Sequence, residues 1–141
     1  MLREIGTFHP GDLSTFSQIE EFRLEELSPT MQHEVILGSE IPGVLEEVRG
    51  IMKGLGLIGG EKYAGLSIFR SVAEHIDKGA IENFVLLVTH VNGTCIFRVG
   101  SESIELEVGM ILSFDPKIPH SVTASNGSDA CVIRVPIQGY I

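Results

Sequence analysis

Asn83-Phe84-Val85-Leu86-Leu87-Val88-Thr89-His90-Val91-Asn92-Gly93-Thr94-Cys95-Ile96-Phe97-Arg98-Val99 holds two apolar runs of strand length on either side of an Asn-Gly pair. β-Branched and aromatic residues dominate both runs, and Asn-Gly is a strong hairpin signal because both residues tolerate positive φ. The same texture extends in both directions. Segments of strand character cover 65–73, 83–91, 94–99, 103–107, 110–114, 121–124 and 130–137. Gly100-Ser101 and Asn126-Gly127-Ser128-Asp129 supply further turns. Seven short strands separated by turn residues predict a sandwich or barrel rather than a parallel sheet.

Upstream of the β-run the period changes. Pro42 suits a first helical position, and Val44, Leu45, Val48, Ile51 and Met52 recur on one helical face. An amphipathic helix is predicted over 41–56, closing among Gly54, Gly56, Gly59 and Gly60. Residues 1–40 read as a lead-in in which 17–27 could be a strand or short helix, broken by Ser28-Pro29-Thr30. The expectation is a mainly β, α+β chain: a jelly roll over 65–137 with the N-terminal helix packed on it, all within a single domain spanning 1–141.

Composition narrows the function. Of 141 residues, 43% are apolar and 21% charged, and no run approaches the roughly 18 apolar residues of a membrane span. Met1-Leu2-Arg3-Glu4 lacks the basic start of a secretory signal, so a cytoplasmic location and no membrane association are expected. The net charge of −9 repels phosphate backbones, and nucleic acid is not expected as a partner. Cys95 and Cys131 sit in apolar runs and read as buried thiols. The apolar lead-in and the edges of a jelly roll are compatible with a homodimer.

The chemistry concentrates at His75-Ile76-Asp77 and at His120, which lies 43 residues after Asp77. Residues i and i+2 of a strand point to one face, so His75 and Asp77 can converge there. Two His and one carboxylate on one side of a metal leave the opposite positions open, as in non-haem Fe(II) oxygenases. Asp115 starts a turn before Pro116 and is left out of the site. His90 reads as a satisfied core or rim histidine sharing a face with Leu86 and Val88, and Glu82 as a candidate fourth ligand. His9 and His33 carry no spacing argument.

On these residues the stretch from Gly65 to Ile137 resembles the Fe(II)- and 2-oxoglutarate-dependent dioxygenases, with their double-stranded β-helix and His-X-Asp…His triad. The resemblance rests on His75-Ile76-Asp77-Lys78-Gly79, the turns at Asn92-Gly93 and Gly109, Phe114-Asp115-Pro116…Pro119-His120, and Arg134, which follows His120 by 14 residues. It implies metal ligation by His75, Asp77 and His120, Fe(II) and 2-oxoglutarate as cofactors, and Arg134 as the partner of the far carboxylate of 2-oxoglutarate. A guanidinium suits that task because it meets a carboxylate with two parallel hydrogen bonds. The implied activity is hydroxylation of a small molecule or of an amino-acid or peptide side chain. Where the family often has Ser two positions after the Arg, this chain has Pro136.

Alternatives stay open. On the strand carrying Arg134, the other parity (Cys131, Ile133, Val135, Ile137) is wholly apolar and could be the face turned to the core. His75-X-Asp77-X4-Glu82 and Pro119-His120…Asn126 also look like degenerate cupin motifs, which would make a metal-binding protein or enzyme that does not use 2-oxoglutarate. A non-catalytic jelly-roll interaction module is the third reading, because fold does not fix function.

Overall fold

The computed structural model describes residues 2–13, 33–36, 42–59, 64–77 and 82–140. The order is β1 (Leu2–Thr7), a 3-10 turn (Pro10–Leu13), β2 (His33–Ile36), α1 (Pro42–Gly54), β3 (Leu57–Gly59), β4 (Gly65–Phe69) and β5 (Val72–His75). There follow β6 (Phe84–Asn92), β7 (Cys95–Val99), β8 (Glu102–Glu105), β9 (Met110–Phe114), β10 (His120–Ala124) and β11 (Asp129–Tyr140). The segment 17–27 and the Ser28-Pro29-Thr30 break lie outside the described residues.

These strands form two antiparallel sheets. The larger runs β1-β9-β6-β11-β4-β2, with β3 also paired to β11, and the smaller runs β5-β10-β7-β8. The expected jelly roll with one helix packed upon it is what the chain adopts. β6 and β11 lie in the middle of the larger sheet and are apolar on both faces because both are covered. Val85, Leu87, Cys131, Ile133 and Val135 point outward and pack with Val44, Val48 and Met52 of α1. Leu86, Val88, Ala130 and Val132 point inward and meet Cys95, Phe97, Val99 and Val122 of the smaller sheet. The helix reading of 41–56 thus shortens to Pro42–Gly54, and its apolar stripe is the face that closes the outer core.

Three sequence expectations change in detail. The run 65–73 is not one strand: β4 pairs β11 in the larger sheet, whereas β5 pairs β10 in the smaller. The chain crosses between sheets at Arg70-Ser71, where the Ser71 hydroxyl accepts the Ala124 N–H at 3.0 Å. Asn92-Gly93 does not close a hairpin either. It is a corner carrying β6 of the larger sheet into β7 of the smaller one, and β7 pairs β8 and β10 instead. The glycine is nevertheless required: Gly93 has φ +78° and approaches so closely that a Cβ would sit 2.2 Å from Ser128 Oγ, the atom that accepts the Thr94 N–H. Gly59 ends β3 rather than closing the helix, and Gly56, at φ +73°, makes the turn after α1.

Candidate metal centre

His75 and His120 are direct cross-strand partners on β5 and β10. Their rings lie 4.4 Å apart, centroid to centroid, tilted by 59°. The strand ends at His75, so Asp77 is not held by strand geometry as the i, i+2 spacing implied. Instead its N–H donates to the Pro116 carbonyl at 3.0 Å, tying it to the loop that leads into His120. Asp115 starts that loop with a side-chain turn, accepting the Lys117 N–H at 2.9 Å, and takes no part in the site. One loop therefore positions both Asp77 and His120.

The tautomers follow from the backbone. His75 Nδ1–H donates to the Ala73 carbonyl and His120 Nδ1–H to the Ile118 carbonyl, each at 2.8 Å. Both Nε2 atoms are thereby turned to the carboxylate: His75 Nε2 is 3.4 Å from Asp77 Oδ1 and His120 Nε2 is 3.4 Å from Asp77 Oδ2. One donor atom from each residue falls within 4.8 Å of the others. Donors around one first-row ion at 2.0–2.2 Å and near right angles stand about 3 Å apart, and the two contacts to Asp77, at 3.4 Å, are close to that spacing. Backbone carbonyls that fix ligand histidines in this way are the usual outer support of a metal site. Exposure is graded, His120 side chain 7%, Asp77 27% and His75 41%, so the site opens to solvent on the His75 side.

The triad lines a cavity of about 260 Å³ between the sheets, and Arg134 and Ser67 line the same cavity. The parity of β11 is thereby settled. Arg134 lies on the inward face with Val132, while Cys131, Ile133 and Val135 face α1. Across the strand Arg134 opposes Gly65 on β4 and Leu86 on β6, and its guanidinium carbon is 5.2 Å from the Phe84 ring centroid. Ser67, opposite Val132, is 6% exposed and belongs to the cavity wall. Sequence reading passed over it. Its one signal was a hydroxyl in the apolar run Leu66-Ser67-Ile68-Phe69.

The remaining titratable candidates are elsewhere. Glu82 is outside the ligand group, which comprises His75, Asp77 and His120 among the described residues. His90 follows a register shift in β6 and faces Asp129 at 3.4 Å, at the rim and partly exposed. His9 is exposed and accepts the Gly11 N–H at its Nδ1. His33 lies in β2.

Neither a protein-family model nor a curated protein matches this chain. Solved structures do. A prolyl hydroxylase from Trichoplax adhaerens, bound to a peptide of the hypoxia inducible factor oxygen degradation domain, aligns over 97% of this chain and 82% of its own, at 9% identity and TM-score 0.63. A Pseudomonas putida prolyl-4-hydroxylase aligns over 100% and 92%, at 12% identity and TM-score 0.60. The Escherichia coli ribosomal oxygenase YcfD aligns over 82% of this chain at 18% identity and TM-score 0.57, and that oxygenase has also been solved in complex with cobalt and 2-oxoglutarate. This chain spans about a third of that oxygenase, 34% of its length. At these identities the likeness is one of fold: the chain has the double-stranded β-helix of these oxygenases.

Proposed function

We propose that this chain is an Fe(II)- and 2-oxoglutarate-dependent oxygenase that hydroxylates a side chain of a peptide. The observation that carries the proposal is one cavity holding a two-histidine, one-carboxylate donor set together with an inward-facing arginine. When bound, iron(II) and 2-oxoglutarate supply dioxygen activation coupled to oxidative decarboxylation of the oxo-acid. The chain's own residues do the rest. His75, Asp77 and His120 supply three donors on one side of the ion and leave the other side for exchangeable ligands. Arg134 offers paired N–H donors to the far carboxylate, and the buried Ser67 hydroxyl adds a further donor on the neighbouring strand.

The apolar wall of Phe69, Leu86, Phe114 and Val132 excludes water from the space between. The peptide-bound Trichoplax enzyme supports a peptide substrate, and the acidic surface is unsuited to nucleic acid.

Anaerobic titration of purified protein with Fe(II), then with 2-oxoglutarate, tests this. We expect saturable metal binding followed by saturable 2-oxoglutarate binding, and loss of both in Asp77→Ala. Metal binding with no response to 2-oxoglutarate would instead leave a cupin-type metal protein; no metal binding would leave an interaction module.

A further inference from the structure

The guanidinium and the metal-facing imidazoles are joined by a series of rings. Arg134 Cζ lies 5.2 Å from the Phe84 centroid. Phe84 meets Phe114 at 5.9 Å with the rings at 74°, and Phe114 meets His120 at 5.0 Å and 65°. Phe97 braces the series, 5.1 Å from Phe114 and 6.4 Å from His120. These are edge-to-face contacts of the kind aromatic quadrupoles favour, and a cation over a ring face is attracted in the same way.

The backbone holds each ring in place. Phe84 and Phe114 are direct cross-strand partners on β6 and β9, and Phe84 is also paired with Pro136 on β11, two residues from Arg134. An arginine side chain is long and rotamer-rich, so left to itself it would follow the carboxylate of whichever acid arrived. Resting on Phe84, whose ring abuts Phe114 and through it His120, the guanidinium instead has a defined reach from the metal donors.

We infer that Phe84 and Phe114 are positioning residues that set the chain length of the 2-oxo dicarboxylic acid the cavity accepts, by fixing Arg134 at one distance from His120. The inference rests on the function proposed above. An acid held at the metal by its 2-oxo end and at Arg134 by its far carboxylate is measured between two fixed points. A methylene more or less then costs a fitted site about 10- to 200-fold in affinity. Phe114 is part of the cavity wall, whereas Phe84 is not among the lining residues, so a change at Phe84 tests positioning without remaking the wall.

The test is calorimetric binding of 2-oxoglutarate and of 2-oxoadipate, one methylene longer, to the full chain loaded with Co(II) under anaerobic conditions. We expect the wild type to favour 2-oxoglutarate by at least about tenfold. Phe84→Leu should bring the two acids to near-equal affinity, Phe84→Tyr should keep the wild-type preference, and Co(II) affinity should be unchanged in both. If Phe84→Leu does not fold, Phe84→Met carries the same comparison. Weakening of both acids by one common factor, or an unaltered ratio, would show that the ring merely supports the strand and would overturn the inference. A wild type that binds Co(II) but neither acid would overturn the proposed function itself, and the inference with it.

Discussion

Arg134 is where the residue scale can be tested most sharply. Lysine keeps the charge but presents a point donor instead of a planar fork, so Arg134→Lys should retain 2-oxoglutarate binding at reduced affinity. A lost charge-assisted hydrogen bond is worth about 1.5–3 kcal/mol, so we expect a drop of roughly 10- to 150-fold by calorimetry on Co(II)-loaded protein. Ser67→Ala should cost less, about 1 kcal/mol. Equal affinity in wild type and Arg134→Lys would remove the two-bond contact. The sequence already contained His75, Asp77, His120 and Arg134, because imidazole, carboxylate and guanidinium stand out among apolar strands. It could not orient Arg134: β11 is covered on both faces, so neither parity is a solvent face and apolar residues alone cannot say which side holds the cavity. Ser67 stayed hidden for the same reason, since a small hydroxyl in a short strand acquires meaning only once Val132 and Arg134 are known to lie across from it.

At the scale of elements, the corner after β6 is the place that admits only glycine. Gly93→Ala places a Cβ at φ +78° and 2.2 Å from Ser128 Oγ, which must then give up its bond to the Thr94 N–H. Residues forced into such regions cost on the order of 1–3 kcal/mol, and we expect a loss of that size in urea unfolding. A neutral result would show that the corner relaxes freely. Of the eight strands from β4 to β11, the six from β6 onward were legible as β-branched or aromatic runs bounded by turn residues, and the helix by its period of about 3.6 residues, whereas β4 and β5 were merged into the single run 65–73. β1, β2 and β3 were not legible: Leu2–Thr7 mixes two charged residues and a glycine into its run, and β2 and β3 span only four and three residues. Nor could turn chemistry tell a hairpin from a corner, because Asn-Gly serves any tight reversal needing positive φ, and only sheet membership separates Asn92-Gly93 from the true β7–β8 hairpin at Gly100-Ser101. Beyond this corner, burial and then the Asp129 carboxylate raise the Cys95 thiol above its ordinary 9.0. The folded chain therefore holds that proton more tightly than the unfolded chain. Its contribution to stability is complete below pH 9.0 and falls as pH rises past that value towards the raised folded one. Cys95→Ala should flatten the alkaline limb of the stability profile; an unchanged slope would count against it.

The whole molecule divides its site between its two sheets. His75 and His120 belong to the smaller sheet, Ser67 and Arg134 to the larger, and the cavity lies where the inner faces meet. Under the proposed function a metal alone would engage the smaller sheet and the adjoining loop of Asp77, while an oxo-acid reaching from the metal to Arg134 would bridge both. Ligands that bind only the folded state stabilise it by RT ln(1 + [L]/Kd), about 2.7 kcal/mol at a hundredfold excess over Kd. On that proposal the acid would gain its second attachment only when metal is present, so the two stabilisations should be coupled, each ligand tightening the other by the same factor. Thermal unfolding should thus show a modest rise with Co(II), almost none with 2-oxoglutarate alone, and with both together a rise exceeding the sum. Arg134→Ala should keep the metal's increment and lose most of the excess, since it removes the attachment to the larger sheet and leaves the donors of the smaller one intact. Strictly additive shifts would mean that the acid does not span the sheets, and an excess surviving in Arg134→Ala would place its far carboxylate on other residues.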